Sequence, residues 1–463
     1  MSEIDSVVNI SSTASLSKRK KDKADLPWLR VAGMSIVDEK GEVVSLNGIN
    51  LSNNVWGNYN YSKRRLERPT VQDRWVLQDI DFELIKRLGC KAVRYAINYG
   101  LFARDNPNRE SNLVLLKSHI EKFNKIGVYV IIDLHLPEGL DDQNDAEERK
   151  KPGNERLQSI FESKKYWADT LDMWRYLVRN LKNIPGVAGY DIFNEPRLPA
   201  TVDCSMEEFI RKYNELCSVI RSEDKRHIIF VPEYISREAN IGERYWDNNK
   251  SGWAIDGGEQ GIIWNGGFVK VDDSNVVYET HYYQPYEFTN GAASPYFDAK
   301  TIERDISRKL SWVRTVGRAP LIVGEYGVDR AQPPEKRVLY LDAVHSTLHK
   351  YGISGFYFQY KDSVSSYSDP DTTFGLYGQY AGFCNEFDLG KDFKGYAIDA
   401  AKQNGFDLFY ENAFLPSMLN PLFVYLQYYG GGCLDVNKPT LFPISLMDNY
   451  PVWVKLFNFF HSF

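Results

Sequence analysis

Apolar, β-prone runs recur along this chain, separated by stretches in which apolar residues return every three or four positions. Residues 34–51 (MSIVDEKGEVVSLNGINL) read as a short hairpin, turning at Glu39-Lys40-Gly41, that leads into a strand. Further runs follow at 89–98 (GCKAVRYAIN), 128–135 (VYVIIDLH), 187–195 (VAGYDIFNE), 227–233 (HIIFVPE), 276–283 (VVYETHYY), 319–326 (APLIVGEY) and 353–360 (ISGFYFQY), so that eight strands are predicted. Helical periodicity with few breakers fills 79–87, 116–125, 166–183, 206–222, 299–315 and 336–350 between them. Near-continuous apolar strands alternating with amphipathic helices imply a parallel sheet covered by helices. Eight such units favour closure into a barrel over an open doubly wound sheet, because no glycine-rich phosphate loop follows the first strand. The predicted class is therefore α/β, a (β/α)8 TIM barrel.

The polar residues that stand out fall at the C-terminal ends of these runs: Arg94, His135, Asn194, Glu195, His281, Tyr283 and Glu325. In a barrel all those ends open onto one face, where barrel enzymes place their chemistry. Any one of these residues alone reads equally well as a satisfied buried polar group; seven at strand ends point to a site.

The chain divides into a polar leader at 1–26, a barrel at 27–410 and an extension at 411–463. The leader is Ser-rich, with a basic cluster at Lys18, Arg19, Lys20, Lys21 and Lys23, and is read as a disordered tail without the apolar core of a signal peptide. Two long connections interrupt the barrel. Residues 138–156 read as a charged surface loop, and 237–273 carry Trp246, Trp253 and Trp264 among glycines, either to shape a cleft or to staple the loop to the barrel. In the extension, 413–434 is uncharged but is broken by Pro416, Pro421 and Gly430-Gly431-Gly432, against a membrane span. A packing flap is the first reading. Association with a membrane surface or partner is the second, since PVWVKLFNFF would otherwise expose an apolar patch.

Composition narrows the ligand. With 43% hydrophobic residues, 25% charged residues and a net charge of -6, the chain lacks the basic excess of a nucleic-acid binder. Aromatic residues make up 14%, and sugar rings present apolar C–H faces that stack on such surfaces, although aromatics also fill cores. The five cysteines, Cys90, Cys204, Cys217, Cys384 and Cys433, show neither CxxC nor Cys/His spacing, so no metal and no disulfide framework is predicted. Cys90 reads as a small buried hydrophobe.

Cleaving a linkage between sugars requires protonation of a poor leaving group and stabilisation of an oxocarbenium-like centre. Two carboxyl groups on opposite sides of the bond can do both. Glu195, in Asn194-Glu195-Pro196, and Glu325, in Gly324-Glu325-Tyr326-Gly327, are the candidate pair. A glutamate at the end of an apolar strand also needs a charge or hydrogen-bond partner.

DIFNEP followed by GEYG, together with RYAIN, DLH and HYY, resembles family five of the glycoside hydrolases, the cellulase-like barrels of clan A, over residues 30–405. Carried over position by position, the resemblance implies Glu195 as acid/base, Glu325 as nucleophile and Asn194 as partner of the sugar 2-hydroxyl. It further implies that Arg94 and Tyr283 hold Glu325, while His135 and His281 line the subsite where the bond breaks. A cation and a phenol donating to Glu325 favour its ionised form, whereas Glu195 beside that charge is expected to keep its proton at neutral pH. Where the family usually has Trp in its eighth strand, YFQYK puts Phe358, flanked by Tyr357 and Tyr360; a register two residues on would bring Tyr360 to the site instead. Phe stacks on a sugar but lacks the indole N–H donor, which bears on substrate preference.

The resemblance implies a retaining β-glycosidase without a cofactor, acting on a β-linked oligosaccharide or polysaccharide, with β-1,4-glucan ahead of β-mannan or a glycolipid β-glucoside. From a different class, a non-catalytic carbohydrate-binding barrel is the alternative, though it predicts loss of a carboxylate and both are present. Polymer hydrolysis would call for export; with no signal peptide visible, a cytoplasmic location stays open.

Overall fold

The eight apolar runs close into one sheet. In the computed structural model they become β1 (Gly48–Leu51), β2 (Ala92–Asn98), β3 (Tyr129–Leu136), β4 (Val187–Asp191), β5 (Ile228–Pro232), β6 (Val276–Tyr282), β7 (Leu321–Tyr326) and β8 (Ser354–Tyr357). Each strand pairs parallel with the next, and β8 returns to β1 through Phe356↔Gly48 and Tyr357↔Ile49, so the barrel has no free edge. The structure describes residues 26–52, 77, 79–139, 158–199, 204–237, 266–291, 297–329, 332–360, 374–376 and 452–462, with strand pieces at 59–60, 65–66, 245–247, 252–255 and 263–264. The expected leader at 1–26, apart from its last residue, the charged loop from 140 onward to 157, and the extension from 411 to 451 lie outside the described residues.

Helices α1 (Asp79–Arg87), α2 (Arg109–Lys125), α3 (Lys164–Leu181), α4 (Met206–Glu223), α5 (Ala299–Trp312) and α6 (Pro334–Tyr351) connect the strands. Side-chain caps set several starts: Ser163 accepts from Tyr166 N at α3, Ser205 from Glu208 N at α4, and Asp298 from Lys300 N and Thr301 N at α5. The α2 helix begins seven residues before its periodic stretch because its first turn, Arg-Glu-Ser-Asn, carries no apolar face to read. Between β5 and β6 the described residues form short strands instead of a helix. Tyr245–Asp247, Gly252–Ile255 and Ile263–Trp264 make one antiparallel sheet in which Trp246 pairs with Trp253.

Strands buried on both faces explain the near-continuous apolar runs. One cluster takes Ala92, Ile131, Ala188, Phe230, Val277, Ile322 and Phe356, from seven different strands, and so fills the barrel interior. A larger cluster, including Val93, Tyr95, Val130, Ile132 and Tyr278 of the same strands, packs outward against the helices.

The N-terminal hairpin differs from the predicted one. Arg30–Ala32 pairs with Ser35–Val37 around Gly33, whose φ of 61° suits the tight turn, while the predicted turn at 39–41 supports only the bridge Val37↔Val43. Asp38 stabilises that second turn by accepting from Lys40 N and Glu42 N. Leu29 and Ile36 of the hairpin join the interior cluster and plug the barrel at the end away from the strand C-termini.

At the other end of the chain, residues 452–461 form a helix that buries Val452, Trp453, Leu456, Phe459 and Phe460 in the outer core. Lys455 pairs with Asp342 of α6 at 2.9 Å, and Phe459 stacks on His345 of the same helix. Among the described residues, no helix is long and apolar enough to cross a membrane.

Candidate active site

Period-two alternation carries charge into the upper half of the barrel. From β2 come Ala92 and then Arg94; from β3, Ile131, Asp133 and His135; from β6, Val277, Glu279 and His281. In each strand the lower residue is apolar and belongs to the interior cluster, whereas the upper ones are polar and face the strand ends.

Arg94 is the hub and is fully buried. Its Nη1 lies 2.7 Å from Glu325 Oε1 and donates to Asn50 Oδ1 at 3.1 Å; its Nη2 donates to Asn194 Oδ1 at 2.9 Å and lies 3.0 Å from Asp133 Oδ1. Its Nε donates to Asp191 Oδ2 at 2.8 Å and lies 3.1 Å from Glu279 Oε1. A planar guanidinium can serve this many acceptors at fixed angles where an ammonium cannot.

Tyr283, one residue beyond β6, donates to the other oxygen of Glu325 at 2.9 Å. Burial, reinforced by Glu325 and Glu195, pushes the Tyr283 phenol well above its ordinary pKa, so it remains a donor. His281 Nδ1 lies in hydrogen-bond contact with Glu195 Oε1 at 2.9 Å and stands 3.5 Å from Glu325 Oε2, while its Nε2 is 3.5 Å from Glu279 Oε1. Burial opposes a charge on this ring, but Glu325, Glu195 and Glu279 outweigh it and raise its pKa well above the usual histidine range. His135 Nδ1 is 2.7 Å from Asp133 Oδ2 and 3.9 Å from Glu325 Oε1.

One oxygen from each of Glu195 and Glu325 and a ring nitrogen of His281 lie within 4.8 Å of one another. Those atoms could hold a small cation only if His281 gave up its proton, a step that Glu325 and Glu195 oppose by raising its pKa. Glu195 itself has a positive φ of 40°, uncommon outside glycine, which is the kind of local backbone strain that clusters at functional sites.

The seven strand-end residues singled out from the sequence thus meet at one end of the barrel. Phe358 stacks beside His135, ring centroids 6.5 Å apart and planes 15° apart. Tyr360 does not face the cleft: it is fully buried and donates to Asp81 of α1 at 2.7 Å, which settles the register in favour of Phe358. Phe374, which the sequence reading passed over, contacts both Phe358 and Tyr283 with centroids 6.2 and 5.8 Å away, and extends the aromatic wall. The buried acids Asp133, Asp191 and Glu279 were also missed, although period-two spacing from His135 and His281 marks Asp133 and Glu279 as inward-facing.

These features define the class: a parallel (β/α)8 barrel with two close glutamates set in a charged cup at its C-terminal rim. The chain matches the model for cellulase (glycosyl hydrolase family 5) over residues 37–364 and belongs to that family. A β-xylosidase of Phanerodontia chrysosporium is 25% identical over 252 residues, 48% of this chain and 50% of that protein. Endoglucanase B of Acetivibrio thermocellus is 25% identical over 372 residues, 69% of this chain and 62% of that protein. The chain therefore spans only half to three fifths of the length of these two relatives. Among solved structures, an endoglucanase from the hyperthermophilic Thermotoga maritima superposes with a TM-score of 0.49 at 20% identity, covering 72% of this chain and 91% of that one.

Proposed function

We propose that the protein hydrolyses β-1,4-linked glucan with retention of anomeric configuration, Glu325 acting as nucleophile and Glu195 as acid/base. The observation that carries this reading is the spacing of the two carboxylates, whose nearest oxygens lie within 4.8 Å. Retaining enzymes need about 5–5.5 Å between carboxyl groups, and inverting ones about 6.5–9.5 Å to admit a water.

In the first step Glu325 attacks the anomeric carbon as Glu195 passes its proton to the departing glycosidic oxygen. In the second, Glu195 takes a proton from water, the water oxygen bonds to the anomeric carbon, and Glu325 leaves as a carboxylate. Arg94 and Tyr283, one on each oxygen of Glu325, orient it for attack and stabilise it as leaving group. Asn194, whose oxygen is held by Arg94, keeps its amide N–H donors for the sugar 2-hydroxyl. His135 and Phe358 supply an edge and a face for the ring at the cleavage point.

The choice of glucan draws support from the relative named Endoglucanase B. The test is a parallel assay of carboxymethyl-cellulose, galactomannan and glucosylceramide, with Glu325→Ala as control and product anomers followed by NMR. Release of β-anomer from the glucan by wild type alone is expected. First-formed α-anomer, or undiminished turnover by Glu325→Ala, would overturn the mechanism; exclusive cleavage of mannan or of the glycolipid would overturn the substrate.

A further inference from the structure

Beneath the two glutamates lies a layer of buried charge that the two chemical steps leave unused. Its centre is Glu279, in the middle of β6 and 0% exposed. One oxygen of Glu279 lies 3.1 Å from Arg94 Nε and 3.5 Å from His281 Nε2. Those are the two cations that flank Glu325, Arg94 at 2.7 Å and His281 at 3.5 Å. One carboxylate therefore ties both from below.

The room for it comes from the residue before the nucleophile. A Cβ on Gly324 would stand 1.4 Å from Glu279 Oε1, so any other residue there would expel the carboxylate. Glu279 and Gly324, on adjacent strands, are a matched pair, which gives the first glycine of the GEYG motif a task distinct from that of the glutamate beside it.

We propose that Glu279 is a positioning residue, which holds His281 as an imidazolium and aims Arg94, so that Glu195 and Glu325 keep the geometry that hydrolysis requires. The proposal rests on the assignment of that pair and deepens it. His281 faces Glu195 after β4, Glu325 on β7 and Glu279 on its own strand; Lys309 of α5, paired with Glu233 after β5 at 2.9 Å, reaches only its backbone oxygen. Glu279 in turn faces Arg94 of β2 and Asp191 of β4, and Asp133 of β3 and Asn50 of β1 occupy the other nitrogens of Arg94. Burial pushes both Asp191 and Glu279 up, but Arg94 and His281 bring Glu279 down to about 2, while burial and the neighbouring charge of Glu279 hold Asp191 well above the usual carboxylate range. With Glu279 made neutral, the buried His281 ring would lose the counter-charge on its Nε2 side and keep only Glu325 and Glu195 against burial, so it would give up its proton more readily.

The test compares wild type, Glu279→Gln and Glu279→Asp in two measurements. The first, needing no substrate, is the nitrogen chemical shift of the His281 ring from pH 5 to 9. The second is the pH profile of kcat and KM on whichever glycoside the wild type cleaves. Wild-type His281 is expected to stay charged through pH 8, to lose its proton within that range in Glu279→Gln, and to recover its charge in Glu279→Asp. The alkaline limb of the kcat profile should move down by about one pH unit in Glu279→Gln and kcat should fall about tenfold, with KM changing less. A neutral ring in wild type at pH 7, which is decisive even if Glu279→Gln does not fold, overturns the proposal. So does a ring whose titration is the same in Glu279→Gln. Should wild type cleave no glycoside at all, the assigned reaction fails, while the ring titration still decides the role of Glu279.

Discussion

Tyr283 donates its hydroxyl to Glu325 Oε2 at 2.9 Å, on the oxygen that Arg94 leaves unoccupied. Glu325 is thus gripped at both oxygens, by a donor on β2 and by one just beyond β6. A hydrogen bond to a charged group contributes about 1.5–3 kcal/mol, so Tyr283→Phe should lower kcat/KM about 10- to 100-fold. The phenyl ring would still meet Phe374, 5.8 Å away, so the melting temperature should change little. Steady-state kinetics on an activated aryl glycoside, beside a thermal melt, checks both; an unaltered kcat/KM removes Tyr283 from this role.

Arg94 concentrates the cost of burial. Its side chain is 0% exposed, as are those of Asp133 and Asp191, and no single acceptor accounts for its position. In Arg94→Lys the charge survives but the fork does not, so some of these acids would be left buried without a partner. Loss of about 3 kcal/mol of stability in urea is expected, along with activity near background. Lysine retaining full stability would mean that the acids are held by other contacts.

The barrel and its rim were legible because each depends on a local pattern. Apolar runs of strand length alternate with helical periodicity, and Glu195, His281 and Glu325 sit where those runs end. The acids beneath were hidden because Glu279 and Asp133 lie inside runs read as hydrophobic, where a single acid looks like an interruption. Arg94 was the available clue: a buried guanidinium demands more negative charge than one carboxylate supplies. Phe374 could not be found this way, since it adjoins no strand motif and reaches Tyr283 and Phe358 only through the fold. Similarly, Phe358 and Tyr360 are equally aromatic on paper, and only the buried bond from Tyr360 to Asp81 separates them.

The terminal helix at 452–461 touches the site's supports at one remove. Phe459 lies flat on His345, centroids 4.0 Å apart and planes 7° apart, and His345 Nε2 shares a hydrogen bond of 3.0 Å with the hydroxyl of Tyr326, the neighbour of Glu325. Burial, with a smaller push from Lys455, takes His345 down to about 3, so the folded protein holds the ring neutral. Above about pH 6.5 neither the folded nor the unfolded chain protonates it; below that, the unfolded chain binds a proton that the folded one refuses, and stability falls with pH until about 3. Phe459→Ala removes the ring that seals His345 and should cost about 3–5 kcal/mol at pH 7. With water admitted to the imidazole, its pKa should return toward the ordinary value, so the loss of stability from pH 7 to pH 5 should be smaller in Phe459→Ala than in wild type. Urea unfolding at the two pH values measures both effects, and parallel losses in the two proteins would show that Phe459 does not control the protonation of His345.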